Sequence, residues 1–351
     1  MKKFLIAIVS SILVFATLLC GCDCSGCSSY DLEFSPLFYG ASGEPKDDYV
    51  QQTTYDVRLK NSYGNDIKKN DSLDQLINYD YSGTYTSTLT VLPGLPNNIP
   101  TDMKEEIQNS STYIYKLETS LNLKFTYTIS GKAQQENQDF INTQTIFAPA
   151  KSGFIPIYTT TNSSVSYISI EENGANVQKL VCNNSVLYNN DNYVMTTKYD
   201  NQSPTTVTYD YTRQTLIDNS QLLFVMRNIN LLDKEQYELP VVSYQYGEQK
   251  NVMITNDGVG TTQLPVEQGS LTINGEDFNK DNISVKRYKF RLSEDKNMGV
   301  DQFVYIQNGE CGNLGNRSLM YRYVEPIYTL GTNNCLGVLE YTLKEVSIEN
   351  N

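Results

Sequence analysis

Residues 84–92 read TYTSTLTVL and residues 121–130 read LNLKFTYTIS. In the first stretch Tyr85, Ser87, Leu89 and Val91 fall on one face, and Thr84, Thr86, Thr88 and Thr90 on the other. In the second, Leu121, Leu123, Phe125, Tyr127 and Ile129 oppose Asn122, Lys124, Thr126, Thr128 and Ser130. A strict period of two over this length predicts half-buried antiparallel strands with one wet face. The pattern returns in TTVTYDYT (205–212), with Val207, Tyr209 and Tyr211 in phase. It returns again in SVKRYKFRL (284–292), with Tyr288, Phe290 and Leu292 facing away from Val285, Arg287, Lys289 and Arg291. CLGVLEYTL (335–343) reads as a last strand.

Turn chemistry agrees. Asn173-Gly174, Asn274-Gly275, Asn308-Gly309 and Asp257-Gly258 are candidate type I′ hairpin turns. Strands joined in this way predict a mainly β fold: a curved antiparallel sheet or a β-sandwich of hairpins, with one or two short helices. The Thr-rich faces are exposed or line a polar cavity. One helix is expected in PTDMKEEIQ (100–108), capped by Thr101. The other lies in IDNSQLLFVMRNINLLD (217–233), where Asp218 or Asn219 is the cap. Five consecutive apolar residues, 222–226, cannot all face one side of a helix. They predict a short helix buried nearly all round that closes against the sheet, in preference to a buried strand.

Residues 207–242, VTYDYTRQTLIDNSQLLFVMRNINLLDKEQYELPVV, run from a Tyr-rich strand through an Asp-x-Ser-x-Leu-Leu stretch ending in Arg227 to a new strand from Tyr237. This succession resembles an uncharacterised bacterial envelope family known only as a domain of unknown function. The resemblance spans residues 79–257 and implies a strongly curved antiparallel sheet, similar in shape to half-barrel lipoprotein carriers. It implies no catalytic residue.

The N-terminus reads MKKFLIAIVSSILVFATLLC (1–20). Lys2 and Lys3 precede an apolar run from Phe4 to Leu19 broken only by Ser10, Ser11 and Thr17, the pattern of a secretory signal. Leu19, Cys20, Gly21 and Cys22 resemble the bacterial lipobox. The resemblance implies that signal peptidase recognises Leu19, Cys20 and Gly21 and cuts before Cys22, whose sulfur carries diacylglycerol. Two acyl chains hold a protein stably at a membrane where one does so only marginally. The expected organisation is a signal peptide at 1–21, a lipidated tether at 22–50 and an antiparallel β domain at 51–351, with a candidate subdivision near 257. The expected location is the cell membrane, lipid-anchored and facing away from the cytoplasm.

Cys24 and Cys27 have redox spacing, but a redox pair normally opens a helix after a strand, and these stand in a Ser/Gly tether. Cys311 and Cys335 are candidates for a disulfide, which would close its loop with roughly 3–4 kcal/mol of stabilisation.

The chain has 351 residues, no histidine, no tryptophan and 27 tyrosines. Without histidine, Ser-His-Asp and Cys-His catalysis and His-ligated metal sites are excluded within the chain. With 27 Lys and Arg against 40 Asp and Glu, the net charge of −13 repels nucleic acid. There is no phosphate-binding loop, dinucleotide fingerprint or EF-hand spacing, and no metal or cofactor is expected. NNDNY (189–193) and KNDSLDQ (69–75) are oxygen-rich but read as solvated turns. Glu235 and Glu238 are one of many acid pairs that 40 acids produce by chance. YTTTNSSVSY (158–167) has the composition of a sugar-stacking platform, although Tyr and Thr also simply favour strands.

These readings point to a membrane-tethered, non-enzymatic binding or carrier protein that holds a lipid or other apolar envelope ligand on a concave sheet face. The alternative is a surface β-sandwich module for a glycan or a protein partner. A histidine-free hydrolase using paired acids is a third class.

Overall fold

Alternation places the strands, and their long-range pairing builds one sheet from them. A computed structural model of the chain describes residues 4–6, 45, 48–63, 67–68, 77–100, 113–129, 135–150, 156–171, 174–210, 217–229, 231, 235–243, 248–261, 271–278, 284–292, 301–309, 317–328 and 335–349. The strands of the first half are β1 (Phe4–Ile6), β2 (Val50–Lys60), β3 (Ser62–Tyr63), β4 (Ile67–Lys68), β5 (Ile77–Leu92), β6 (Ile114–Ile129), β7 (Gln135–Pro149), β8 (Tyr158–Glu171) and β9 (Gly174–Tyr188). Next come β10 (Asn192–Tyr199), β11 (Thr205–Asp210) and β12 (Ile217–Asp218). A 3-10 turn (Asn219–Gln221) and the helix α1 (Leu222–Met226) follow. The second half adds β13 (Gln236–Ser243), β14 (Glu248–Thr261), β15 (Leu271–Ile273), β16 (Glu276–Phe278), β17 (Ser284–Leu292), β18 (Gln302–Gln307), β19 (Met320–Tyr328) and β20 (Cys335–Glu349).

Antiparallel pairing runs β11-β10-β9-β8-β7-β6-β5-β2-β20-β19-β18-β17-β14-β13. The fold is mainly β, one large curved sheet. β12 adds to β13 in parallel, Ile217 opposite Val241. The β15–β16 hairpin joins β20 in parallel, Thr272 opposite Glu345. β1, inside the apolar stretch read as a signal, pairs with Ile168–Ile170 of β8. β14 runs continuously through residue 257.

The expected faces hold. Tyr85, Leu89, Val91, Leu121 and Leu123 are buried, while Asn122 and Lys124 are exposed. One core cluster collects residues from β2, β5, β6, β7, β13, β14, β17, β18, β19, β20 and the 217–231 segment, so the sheet curls around a single interior. The two flanks also meet: Val186, Tyr188, Tyr193 and Met195 of β9 and β10 pack with Val242 of β13.

Several details depart from the sequence reading. Asp257-Gly258 makes no hairpin turn. It forms a bulge inside β14, where the register against β17 shifts between Asn256 and Val259 and Gly258 takes a φ of 118°. An Asn256 side chain that accepts from the Gly258 N–H, together with an Arg287–Asp257 ion pair, fixes the bulge. Val207 is 42 % exposed, because β11 is an edge strand on which only Tyr209 packs inward, stacked on Tyr193 at 5.1 Å. A small β3–β4 hairpin, Ser62 opposite Lys68 and Tyr63 opposite Ile67, follows β2. Its Tyr63 covers Phe303 at 5.0 Å, with the Arg322 guanidinium 5.2 Å from the Tyr63 ring. β18 is therefore buried on both faces, and Val285, which alternation groups with Arg287, Lys289 and Arg291, is buried too.

Asn274-Gly275 is the turn expected, with φ of 49° and 83°. NNDNY is a turn in which Asn189 donates side chain to side chain to Asn192 at 3.0 Å. The Thr101 helix, Asn173, residues 69–75 and Cys311 lie outside the described residues. So do Leu19, Cys20, Gly21, Cys22, Cys24, Cys27 and nearly all of the tether. Cys335 is buried, and its thiol donates to the Gly337 carbonyl at 3.5 Å.

Candidate functional site

The site lies where residues 217–231 cross the inner face of the sheet. The segment starts with a capping box: Asp218 accepts from the Ser220 N–H at 2.9 Å, and its own N–H donates to Gln221 Oε1 at 3.0 Å. Asp218 is fully buried. It also accepts from Ser220 Oγ (2.5 Å), from Thr159 Oγ1 on β8 (2.9 Å) and from Tyr188 Oη on β9 (2.6 Å). α1 then buries Leu222, Phe224, Val225 and Met226, as the apolar run predicts.

Backbone pairing holds little of this segment; among its described residues, Ile217 and Asp218 alone join a ladder. Side chains of other strands hold the rest. Gln221 Nε2 donates to Tyr115 Oη on β6 at 2.5 Å, and the Tyr115 and Phe224 rings are 5.0 Å apart. Tyr288 on β17 donates to the Ile229 carbonyl at 2.8 Å. Asn256 on β14 donates to the Leu231 carbonyl, also at 2.8 Å. Arg227 Nη2 donates to Gln51 Oε1 on β2 at 2.7 Å, and Nε donates to the Ser318 carbonyl at 2.9 Å. The segment is a cover pinned by tips of side chains from around the sheet.

Two small cavities remain beneath it, on either side of Tyr85. One, of about 20 Å³, is lined by Thr53, Tyr55, Tyr85, Ser87, Leu117 and Met320 from the sheet side and Ser220, Leu223, Phe224 and Arg227 from the cover. The other, of about 50 Å³, is lined by Tyr85, Gln144, Phe290, Gln302, Tyr323 and Glu325, with Asn219, Ser220, Leu222 and Leu223 above. The first holds a buried guanidinium and the second a fully buried carboxylate. Burial pulls the Arg227 guanidinium below its ordinary range, and Tyr55, Tyr49 and Tyr85 pull it back. Tyr341 Oη donates to Glu325 Oε2 at 3.0 Å, and Tyr323 Oη to Gln302 Oε1 at 2.5 Å. Burial, and next the Glu325 charge, push both tyrosines well above their ordinary range. Burial does the same to Tyr85.

Six tyrosines around these cavities point inward. Tyr55, Tyr85, Tyr115, Tyr288, Tyr323 and Tyr341 are all buried in the interior. In the stretch read as a sugar platform, Thr159, Thr161 and Ser163 are buried and Thr159 is bonded to Asp218. Among the described residues no group of three or more His, Cys, Asp or Glu could hold a metal ion, and no helix is long and apolar enough to cross a membrane. The sequence reading offered Asp218 or Asn219 as the cap, of which the structure selects Asp218, and set Tyr85 on the face opposite the Thr-rich one. It missed Glu325, Gln302, Gln144 and the burial of Arg227. For Glu325 a signal was present: in MYRYVEPIY the acid falls in phase with Tyr321, Tyr323 and Ile327, a charge within an apolar series.

No family model and no curated protein match the chain. Among solved structures it is similar to the crystal structure of a beta-barrel-like protein of Domain of Unknown Function DUF1849 from Brucella abortus. That likeness has a TM-score of 0.43 and 7 % identity, over 87 % of this chain and 100 % of the other.

Proposed function

We propose that this chain is a lipid-anchored, non-enzymatic binding protein on the outer side of a cell membrane, and that it takes an apolar envelope ligand against the inner face of its sheet. The observation that carries the reading is the cover. Burying its Leu222, Phe224, Val225 and Met226 contributes roughly 1.5–3 kcal/mol each. Yet among its described residues only two join the segment to the sheet ladder. An apolar ligand can therefore replace the cover's contacts without breaking the sheet. A diacylglyceryl group on Cys22 would keep the site beside the membrane that supplies such ligands. The glycan-binding alternative has less support, because in the stretch that motivates it Thr159, Thr161 and Ser163 are buried and Tyr158 packs half-buried against a cluster with Phe147 and Ile157.

The test is native mass spectrometry of the chain released from membranes in mild detergent, beside uptake of a fluorescent fatty acid. Bound apolar mass is expected, with stronger uptake by Asp218→Asn, which weakens the ties of the cover. A bare mass together with no uptake by either form would sink the reading.

A further inference from the structure

We infer that the cavity beside Glu325 is a receptor for an ammonium group, the polar head of the ligand. The inference deepens the binding role proposed above, and it rests on that role only for the apolar tail. Three features of the cavity walls favour a cation and work together. Glu325 brings a carboxylate that is fully buried, where its field is weakly screened. Tyr85, Phe290 and Tyr323 bring aromatic rings, whose faces are electronegative and attract cations. Gln144 and Gln302 bring amides with acceptor oxygens.

The same walls select among cations. A divalent metal seeks several carboxylates or a dense shell of oxygens. One carboxylate among rings and amides suits a singly charged organic cation instead. The space is about 50 Å³, more than a lone water needs.

A second observation lies next door on the same inner face. Asn142 Oδ1 and Thr161 Oγ1 are buried and accept no hydrogen bond among the described residues. Asn142 is 3 % exposed and Thr161 2 %. Thr161 stands opposite Gln144 in the β7–β8 register, and Asn142 is two residues along β7 from the same Gln144. Buried acceptors of this kind are normally satisfied. A ligand with further N–H or O–H donors beyond its ammonium would meet them. The chemical class is therefore an ammonium group with neighbouring donors, whether free in solution or as a lipid headgroup.

The full chain in detergent is titrated with ethanolamine, with sodium chloride at equal ionic strength as control, and followed by tyrosine emission, which no tryptophan obscures. Vesicles of phosphatidylethanolamine and of phosphatidylglycerol form a second arm, and a fluorescent fatty acid a third. Saturation by ethanolamine but not by sodium is expected. Glu325→Gln should weaken it about tenfold or more, as loss of a charge-assisted contact does. Gln144→Met, which leaves the carboxylate in place, should weaken it less, and urea unfolding should confirm that both variants fold. Preference for phosphatidylethanolamine vesicles assigns the ammonium to a lipid; response to ethanolamine alone assigns it to a free amine. Fatty-acid uptake with no amine response, or an equal response to sodium, overturns this inference and leaves the binding role standing. Amine saturation without fatty-acid uptake removes the carrier reading and keeps the cation site. Silence in every arm overturns both.

Discussion

Asp218 does more than cap a helix. Its carboxylate joins Thr159, Tyr188 and Ser220, so one side chain ties two strands to the start of the cover. Asp218→Asn keeps the shape but turns an NH2 toward groups that donate. The expected cost is about 2–4 kcal/mol, the penalty of unsatisfied groups in a buried network. Urea unfolding should show a lower midpoint at unchanged slope, and hydrogen exchange should accelerate first across residues 217–231. The cap was legible in the sequence, because Asp-Asn-Ser-Gln before an apolar run is a local signal. The tie was not, since Thr159 is 59 residues away and Tyr188 is 30. The buried tyrosines give a second prediction at this scale. Burial pushes Tyr288 up to about 12, and Tyr85, Tyr323 and Tyr341 move upward too. A phenol whose folded value is raised binds its proton more tightly in the native state. Its contribution is complete below the ordinary value of 10 and is lost as pH rises through about 12. Tyrosinate absorbance should therefore rise in two stages, exposed rings first and buried ones only with unfolding. A single smooth rise at the ordinary value in the native protein would contradict the buried environment.

At the scale of elements, period-two alternation made the inner and outer faces of β5 and β6 legible, because those strands have one wet side. It failed where a strand lies at an edge or is covered twice. β11 has the same alternation, yet it exposes Val207, since its outer neighbour is solvent. β18 shows no alternation in burial because Tyr63 and Arg322 close its second face. Asp257-Gly258 has the composition of a turn but serves as a bulge, a choice made by β17 through Arg287. Gly83 is a further device hidden from pattern reading. An added Cβ would stand 2.0 Å from the Asn122 carbonyl oxygen, backbone that cannot rotate away. The close approach of β5 and β6 therefore needs glycine there. Gly83→Ala should cost about 2 kcal/mol or more through strain in the pair. Gly94 is the control, with nothing within 4 Å of its added Cβ. Gly94→Ala should be neutral or stabilise by up to about 1 kcal/mol through the unfolded chain. Equal midpoints for the two variants in urea would refute the assignment of close approach to Gly83.

For the whole molecule, the order of strands in space differs from their order in the chain. β20 comes last in sequence but sits in the middle of the sheet, between β2 and β19, with Val50 opposite Glu349 and Tyr323 opposite Tyr341. No local pattern announces that pairing, so the closure of the sheet was beyond sequence reading even where each strand was not. The same topology constrains folding. β2 forms early in the chain, yet one of its two edges stays open until β20 arrives. Non-local pairing of this kind is slow, because loop-closure entropy is lost before contacts repay it. The inner face depends on it as well: Tyr341 reaches Glu325 from β20, and Tyr85 packs on Tyr341 at 5.8 Å. A chain ending at residue 334 should therefore lose more than a terminal strand. It should show no cooperative urea transition, bind a dye for exposed apolar surface and release the cover from its protected exchange. Val207→Asp, on exposed β11 at the far edge of the same sheet, should shift stability by no more than about 0.5 kcal/mol. The contrast separates position in the sheet from mere strand content. A truncated chain that still unfolded cooperatively, with residues 217–231 protected, would show that the curved interior closes without β20 and that the two flanks, joined through Asp218, suffice.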